Sequence, residues 1–266
     1  MIPRPIAPGN VPPQFLASWD SVGPRLAGAR HVALFLDFDG TLVAYAPHPD
    51  LVHLTTATRR LLQRLASNPR VRVSIISGRR RPELLHHVGV PRVHYLGAYG
   101  WEVGSRPRIS HLDRAALAQA KRALKPVLTR CPAAWLEDKR FLLALHYARS
   151  TPEARQHMLA AVRKIAKSSR GRLRVLENRE DCELLPRTFR GKGYAVRREL
   201  ARVSARATLP VVFGDNLSDE PAFTASRRGI TVRVGRERGV PTRAHFRLRS
   251  PAEVAIALAK IDEVLK

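Results

Sequence analysis

Two aspartates stand two residues apart at the end of an apolar run, in the stretch Asp37-Phe38-Asp39-Gly40-Thr41. The run, residues 31–36, has the length and continuity of a buried strand. Carboxylates that leave such a strand are costly to keep charged without a metal ion or another partner. Gly40 permits a tight turn that brings backbone N–H groups toward a phosphate. The pattern predicts phosphoryl transfer in which Asp37 attacks phosphorus to form an acyl phosphate. Asp39 would first protonate the leaving oxygen and then help to deprotonate water.

Two further clusters could bind the phosphate. Ser77-Gly78-Arg79 ends a second apolar run, where a small hydroxyl can hydrogen-bond a phosphate oxygen and Arg79 can supply charge-assisted hydrogen bonds. Lys192, flanked by two glycines at the start of a predicted helix, can neutralise both the transferring phosphoryl group and the attacking carboxylate. We therefore expect Ser77, Gly78 and Lys192 to bind phosphate, and Arg79 to contact the substrate at the rim of the site.

A fourth cluster supplies candidate metal ligands. Asp215 follows a buried apolar run, and Asp219 is predicted to open the next helix. Because Mg²⁺ is held mainly by oxygen ligands and waters, both carboxylates could face such an ion. Asp219 would also suit the N-terminal cap of the helix that it opens.

The elements that must position these residues alternate between strands and helices. Strands are predicted at residues 31–36, 71–76, 93–96, 209–213, 230–234 and 245–248. Helical periodicity between them is typical of an α/β fold, a parallel sheet with helices on both faces. Open parallel sheets bind ligands at the carboxyl ends of their strands. All four clusters stand at such an end or at the start of the following helix.

The alternation of strands and helices changes after about residue 105. Helices are predicted there at 113–128 and 152–166, and short strands at 134–137, 141–147, 173–176 and 182–185. We interpret residues 106–187 as an α+β unit inserted into a catalytic core of residues 15–105 and 188–266. Residues 1–14 are rich in proline and are expected to form a flexible N-terminal segment.

Composition bounds the function classes. The chain has 266 residues, of which 44% are hydrophobic, enough for a real core. Lys and Arg number 47 against 22 Asp and Glu, a formal charge of +25, which can attract phosphate-bearing molecules or nucleic acid. The basic residues are spread along the chain, so nucleic acid is not expected as a partner. With no long apolar run and no signal peptide in the sequence, we expect a cytoplasmic protein that does not engage a membrane. We also expect a monomer.

The order and spacing of the four clusters resemble the haloacid dehalogenase-like (HAD) phosphatases, over roughly residues 30–100 and 188–250. The resemblance implies a HAD-like Rossmannoid core with an inserted C2-type cap that closes over a small substrate and selects it. It implies Asp37 as nucleophile and Asp39 as acid/base. A Mg²⁺ ion would be held by the Asp37 side chain, the Asp39 backbone carbonyl and Asp215, with Asp219 close by. Thr41, Ser77, Gly78 and Lys192 would bind the phosphate.

Finer features resemble the trehalose-6-phosphate phosphatases. Residues 97–102 read Gly-Ala-Tyr-Gly-Trp-Glu, similar to that family's Gly-x-His-Gly-x-Glu, and residues 137–139 match its Glu-x-Lys. Tyr99 stands where the family has His, a departure that bears on sugar specificity and leaves the phosphatase residues untouched. The resemblance implies hydrolysis of trehalose 6-phosphate to trehalose and phosphate. Glu137, Lys139 and Glu177 are the candidate sugar ligands in the cap, because a disaccharide needs several hydrogen-bonding side chains at once.

Other readings stay open at this point. A phosphatase of another phosphorylated glycoside, such as mannosyl-3-phosphoglycerate or sucrose phosphate, would need only a different cap. A phosphotransferase that passes the aspartyl phosphate to an alcohol would share the same core. A non-catalytic nucleic-acid-binding protein is suggested by the charge of +25, but the intact set of Asp37, Asp39, Lys192 and Asp215 argues against it.

Overall fold

The computed structural model describes residues 11–46, 48–103, 109–178, 181–203, 207–236 and 240–266. The chain divides into two compact units, one of residues 1–104 and 191–266 and one of residues 105–190. We call the first the core unit and the second the inserted unit. The N-terminal stretch 1–10 and the expected core–insert boundary at 105–106 lie outside the described residues.

The helices and strands alternate in the core unit and change rhythm in the inserted unit. In chain order they are α1 (Trp19–Ala27), β1 (His31–Leu36), α2 (Thr56–Ser67), β2 (Val71–Ile76), α3 (Arg81–Val88), β3 (His94–Leu96), α4 (His111–Thr129), β4 (Trp135–Asp138), β5 (Leu143–His146), α5 (Pro152–Ser168), β6 (Leu173–Glu177), β7 (Asp181–Pro186), α6 (Gly191–Ala201), β8 (Thr208–Gly214), α7 (Glu220–Ala225), β9 (Ile230–Val234), β10 (Phe246–Leu248) and α8 (Pro251–Val264).

Within the described residues, the core unit contains a parallel sheet of six strands in the order β10-β9-β8-β1-β2-β3. Strand β1 is central and is buried on both faces, which its unbroken apolar sequence predicts. Val32, Leu34 and Leu36 belong to a large core cluster with residues of α1, α2, α3 and α8, whereas Ala33 and Phe35 pack with residues of α6 and α7. The sheet therefore lies between two layers of helices, which confirms the α/β expectation.

The register of the sheet aligns the strand ends that carry the candidate residues. Leu36 at the end of β1 pairs with Ile75 of β2 on one side and with Phe213 of β8 on the other. Strands β2 and β8 each continue for one more residue. Asp37, Ser77 and Asp215, the first residues after β1, β2 and β8, therefore leave the sheet within about one residue of the same level, at its carboxyl edge.

The inserted unit contains, among its described residues, a four-stranded antiparallel sheet in the order β4-β5-β7-β6. Alternate strand residues on one face, including Leu143, Leu145 and Leu184, pack with Leu117 of α4 and Met158 of α5 into a separate hydrophobic core. The opposite face carries polar and charged side chains and is described below.

The end of the expected flexible segment is held by the core sheet where the structure describes it. Gln14 forms a parallel bridge with Arg247 of β10, and the Arg247 backbone N–H donates to the Pro13 carbonyl at 3.0 Å. Among the described residues, the structure contains no helix with both the length and the apolar character that crossing a bilayer requires.

Candidate active site

Asp37 and Lys192 form the closest ion pair of the site. Lys192 Nζ, from the first turn of α6, lies 2.6 Å from Asp37 Oδ1 and 2.7 Å from Asp219 Oδ1. All three side chains are buried, with exposed fractions of 2–5%. Gly193, next to the lysine, leaves no room for a side chain, because a Cβ there would lie 2.5 Å from the Pro221 carbonyl at the start of α7. The close approach of α6 and α7 holds Lys192 in place.

Asp219 stands at the N-cap position of α7, but its side chain does not bond that helix. It ends a short 3₁₀ turn, Leu217–Asp219, and makes no side-chain capping bond to α7. Its Oδ2 instead accepts hydrogen bonds from the backbone N–H groups of Asp215 and Asn216, both at 3.1 Å, while Oδ1 faces Lys192. Asp219 therefore occupies the N-cap position that the sequence predicts, but its side chain bonds the loop after β8 and Lys192 rather than α7. Asp219 ties the loop after β8 to the lysine.

The carboxylates of the site are packed closely enough to disfavour their charged forms. Burial raises the pKa of Asp37 well above its ordinary value against the opposing charge of Lys192, and the nearby charges of Asp219 and Asp215 add to the rise. Burial, followed by the charge of Asp219, raises the pKa of Asp215 to about 6. For Lys192, burial alone would lower the pKa, but the charges of Asp219 and Asp37 outweigh it and raise the pKa.

This cluster fits a divalent cation. One carboxylate oxygen from each of Asp37, Asp215 and Asp219 lies within 4.8 Å of the others, and oxygen donors are the ligands that Mg²⁺ prefers. With the Lys192 ammonium they leave two formal negative charges in excess. Asp215 Oδ1 is buried and has no hydrogen-bond partner among the residues that the structure describes, although buried polar atoms are normally satisfied.

Gly40 shapes the wall of this cluster. Its φ of +78° lies in the left-handed region that favours glycine. A Cβ at this position would collide with the Asp215 carboxylate and would lie 2.7 Å from the Tyr45 ring. The sequence-based expectation of a tight turn at Gly40 is confirmed, and the turn also makes space for the Asp215 carboxylate.

Tyr45 is a site residue that the sequence analysis did not identify. Its hydroxyl donates to Asp215 Oδ2 at 2.8 Å, although 55% of the residue is exposed. Burial of the hydroxyl end and the charges of Asp215 and Asp37 raise the pKa of Tyr45. A tyrosine in a loop gives no local signal of its own; only its position a few residues after Gly40 could have suggested this contact.

Asp39 is held by Arg79. The guanidinium Nε and Nη2 each donate to one Asp39 carboxylate oxygen at 2.8 Å, a bidentate geometry that arginine favours. The guanidinium also lies 5.4 Å from the centre of the Phe38 ring and 3.3 Å from His87 Nε2. Arg79 is only 8% exposed. Its position differs from the expected role at the rim, since its side chain engages the candidate acid/base.

The phosphate-binding candidates cluster near the ends of β1 and β2. Thr41 Oγ1 lies 3.5 Å from Asp37 Oδ2. Ser77 is 2% exposed, and its Oγ accepts the Arg79 backbone N–H at 3.1 Å. A Cβ on Gly78 would lie 2.8 Å from the Tyr99 ring, so a side chain at this position would have to displace that ring.

Tyr99 and Glu102 support this loop. Tyr99 adopts a left-handed φ of 57°, its N–H donates to the Ser77 carbonyl at 2.7 Å, and Lys192 Nζ lies 5.9 Å from its ring centre. Glu102 accepts the Arg81 backbone N–H at 2.5 Å at the start of α3. The Gly-Ala-Tyr-Gly-Trp-Glu stretch thus braces the Ser77 loop, a structural role that the motif alone did not reveal.

The candidate sugar ligands of the inserted unit separate into two groups. Glu137 and Lys139 lie on the polar face of the four-stranded sheet, where Lys139 Nζ is 3.6 Å from Glu137 Oε2 and 3.5 Å from Glu183 Oε1. Glu183, which the sequence analysis missed, is 1% exposed. It pairs in register with Ala144, as does Glu137 from the other side.

Glu177 lies on the other face of that sheet. It pairs in register with Cys182, whose side chain belongs to the helix-side core. Arg163 of α5 donates to both Glu177 carboxylate oxygens at 2.7 Å. The structure therefore does not bring Glu177 together with Glu137 and Lys139.

Comparison with known proteins places the chain in context. The family model described as trehalose-phosphatase matches residues 35–252. A trehalose-phosphate phosphatase of Mycobacterium avium is 37% identical over 256 residues, covering 91% of this chain; the chain spans 64% of that relative's length. The C-terminal domain of trehalose-6-phosphate phosphatase from Candida albicans superimposes with a TM-score of 0.83 at 20% identity, covering 95% of this chain and 99% of that one. A phosphatase of the haloalkanoate (HAD) superfamily from Bacteroides thetaiotaomicron gives 0.60 at 17% identity, covering 89% and 97%. The expected HAD-like fold is confirmed.

Proposed function

Because the chain belongs to the trehalose-phosphatase family, we propose that it hydrolyses a sugar phosphate monoester, with trehalose 6-phosphate as the substrate. The observation that carries the proposal is the Asp37 carboxylate at a strand end, 2.6 Å from Lys192 Nζ and close to Asp215 and Asp219. A nucleophile with an adjacent cation and a carboxylate cluster suits phosphoryl transfer, which depends on positioning and on charge stabilisation.

In the proposed first step, an Asp37 oxygen bonds to phosphorus as the bond from phosphorus to the sugar oxygen breaks. Asp39 gives a proton to that sugar oxygen, which leaves as an alcohol. Water then attacks phosphorus and gives a proton to Asp39, the bond from phosphorus to Asp37 breaks, and phosphate departs. Lys192 stabilises the transferring oxygens, with Thr41, Ser77 and backbone N–H groups near Gly78 as further phosphate ligands.

Arg79 is proposed to orient the acid/base. Both Asp39 oxygens accept hydrogen bonds from Arg79, so proton transfer requires at least one of these bonds to be exchanged for the leaving oxygen. The guanidinium is itself held against Phe38 and His87. It therefore restricts Asp39 to a small range of positions beside the nucleophile, which favours reaction over random encounter.

Mg²⁺ is the proposed cofactor. Asp37 and Asp215 side chains and the Asp39 backbone carbonyl would hold it, with Asp219 next to them. When bound, the ion neutralises the excess negative charge of the site and polarises the phosphoryl group. The support for this assignment is the set of close carboxylate oxygens, with Asp215 Oδ1 buried and unpartnered among the described residues.

Sugar recognition is proposed to reside in the inserted unit, acting as a cap. Glu137 and Lys139 supply an acceptor and a donor on one sheet face, and hydroxyl groups of a disaccharide need both. Partial burial would by itself favour the neutral carboxyl, but the His146 hydrogen bond and the Lys139 charge outweigh it and hold the pKa of Glu137 below its usual range. Glu137 is therefore an ionised acceptor at neutral pH.

The test is phosphate release from trehalose 6-phosphate, sucrose phosphate, mannosyl-3-phosphoglycerate and glucose 6-phosphate, with Mg²⁺ or with EDTA. Wild type and Asp37→Asn should be compared, since asparagine keeps the shape of the nucleophile and removes its reactivity. We expect preferential release from trehalose 6-phosphate by wild type with Mg²⁺, and loss of release with EDTA or in the variant.

The intermediate has its own readout. Wild type quenched in acid during turnover of a phosphate-labelled substrate should retain label that hydroxylamine removes, because hydroxylamine cleaves acyl phosphates, and Asp37→Asn should retain none. Preferential release from another glycoside would keep the mechanism and change the substrate. Full activity of Asp37→Asn would contradict the proposed nucleophile.

A further inference from the structure

An exposed tryptophan stands on the polar face of the inserted sheet. Trp135 opens β4 and is 41% exposed. Because successive strand residues alternate between faces, Trp135 shares its face with Glu137, whereas Leu136 between them packs on the helix-side core. The indole therefore lies beside the carboxylate that we propose as a sugar ligand, and away from the helices.

The indole is stacked on His146. The two residues are paired in register across β4 and β5. Their ring centres are 3.9 Å apart, and the planes are inclined by only 14°. His146 Nε2 in turn lies 3.0 Å from Glu137 Oε2. This hydrogen bond ties the imidazole, and through the stack the indole, to the carboxylate, so the aromatic surface is held in a fixed orientation.

Hydrogen-bonding groups border this aromatic surface on the same face. Lys139 bridges Glu137 and Glu183 at 3.6 and 3.5 Å. A flat apolar ring beside carboxylates and an ammonium matches the two chemical surfaces of a pyranose. Its equatorial hydroxyls need donors and acceptors, and the C–H groups of its ring face pack on an aromatic ring.

We propose that Trp135, supported by His146, is the stacking platform for a pyranose ring of the substrate, with Glu137 and Lys139 bonding the hydroxyls of that ring. The inference deepens the proposed function and rests on it. It makes Trp135 a determinant of specificity, since a pyranose with an axial hydroxyl on the stacked face would be held away from the indole. The phosphoryl chemistry in the core unit does not depend on this residue.

The experiment compares wild type, Trp135→Leu and Trp135→Phe with trehalose 6-phosphate and with glycerol phosphate, which has hydroxyls but no ring. Leucine keeps apolar bulk without a planar face, and phenylalanine keeps a planar face. We expect Trp135→Leu to raise KM for trehalose 6-phosphate by roughly tenfold, with kcat little changed and with glycerol phosphate unaffected. Trp135→Phe should recover much of the lost affinity. Leu112→Ala, at another exposed apolar residue of the inserted unit, is the matched control and should leave both KM values unchanged.

Calorimetric titration of trehalose 6-phosphate into Asp37→Asn, alone and combined with Trp135→Leu, measures the Kd without turnover. Trp135→Leu should raise this Kd by the same factor by which it raises KM. If Trp135→Leu left both the KM and the Kd for trehalose 6-phosphate unchanged, Trp135 would not be a stacking platform. Hydrolysis of trehalose 6-phosphate by wild type would still support the proposed function. Absence of phosphate release by wild type from every sugar phosphate would overturn the proposed function, and the platform with it.

Discussion

Among the residues that the structure describes, two lysines are buried between carboxylates, one in each unit, and they differ in their distances to those carboxylates. Lys192 contacts Asp37 and Asp219 at 2.6 and 2.7 Å, whereas Lys139 contacts Glu137 and Glu183 at 3.6 and 3.5 Å. The first distances are those of short charge-assisted hydrogen bonds. The distances from Lys139 to its two glutamates are longer by nearly one ångström.

The difference fits the chemistry that we propose for each cluster. The core cluster is assembled from β1, the loop after β8 and α6, and it holds charge in a fixed arrangement for a charged phosphoryl group. The sheet-face cluster is assembled from neighbouring strands, and hydroxyl groups of a neutral sugar can exchange with its longer contacts. A buried lysine alone therefore does not indicate catalysis; its distances and partners do.

The largest expected effect separates the two lysines directly. Lys192→Met should lower kcat by roughly a hundred- to thousandfold on every phosphate ester, because it removes the cation facing the nucleophile. Lys139→Met should raise KM for trehalose 6-phosphate and leave kcat on glycerol phosphate unchanged. Steady-state kinetics of both variants on both substrates provide the measurement. Similar kinetic defects in the two variants would break the distinction between the clusters.

A second prediction concerns the acid/base side of the core cluster. Arg79→Lys keeps the positive charge but loses the bidentate contact with Asp39, so kcat should fall roughly ten- to hundredfold. The rise in Tm that we expect from Mg²⁺ should be the same as in wild type, because Arg79 contacts the Asp39 carboxylate. The proposed metal ligands are instead the Asp37 and Asp215 side chains and the Asp39 backbone carbonyl. An unchanged kcat would show that Arg79 is not needed to orient Asp39.

A third prediction concerns how the carboxylate cluster destabilises the folded protein when no metal ion is bound. The pKa of Asp215 is raised from 3.8 to about 6 in the folded protein, so above pH 4 the unfolded state ionises more readily than the folded state, and folding becomes less favourable as pH rises. In EDTA at pH 7.5, the free energy of unfolding of Asp215→Asn should exceed that of wild type by about 3 kcal/mol. This difference in the free energy of unfolding between the two proteins should be near zero at about pH 4 and reach its full size above about pH 6.

Chemical denaturation of both proteins across this pH range provides the measurement. Adding Mg²⁺ at pH 7.5 should reverse the order by stabilising wild type more than Asp215→Asn. If wild type were the more stable protein in EDTA at every pH, the carboxylates would not oppose one another as the structure indicates.

The smallest effect sharpens the assignment of the inserted sheet's two faces. Glu177→Gln should leave KM and Tm essentially unchanged, because its ion pair with Arg163 lies at the exposed helix side. Glu137→Gln, the matched change on the polar face, should raise KM for trehalose 6-phosphate. A larger increase in KM for Glu177→Gln than for Glu137→Gln would show that sugar binding does not lie on the polar face of the sheet.

Most of the element boundaries and the core candidates could be predicted from the sequence. Strands β1, β2 and β9 have the predicted bounds, and helix α5 begins at the predicted Pro152, because buried apolar runs and proline at a helix start are local signals. Asp37, Lys192, Asp215 and Asp219 lie together for a general reason: parallel strands bring their carboxyl ends to one edge of a sheet.

Other residues escaped prediction because their roles depend on contacts distant in sequence. Tyr45 bonds Asp215 across 170 residues, and Arg79 bonds Asp39 across 40. Glu177 was grouped with Glu137 and Lys139 by residue type, yet the pairing register of β6 with β7 turns it to the opposite face. A shift of one residue in register changes the face of every side chain in a strand, and sequence pattern does not specify register that finely at a strand end.

The sequence by itself determined the fold class, the order of the elements and the acids and lysine of the core, since these depend on local periodicity and on a few residues at strand ends. Only the tertiary structure decided which carboxylate each cation holds, that Arg79 engages Asp39, and that Trp135 stacks on His146 beside Glu137. Those outcomes depend on side-chain distances of a few ångströms between segments far apart in the chain. Side-chain packing sets such distances, and they cannot be predicted from the composition or from the spacing of residues along the chain.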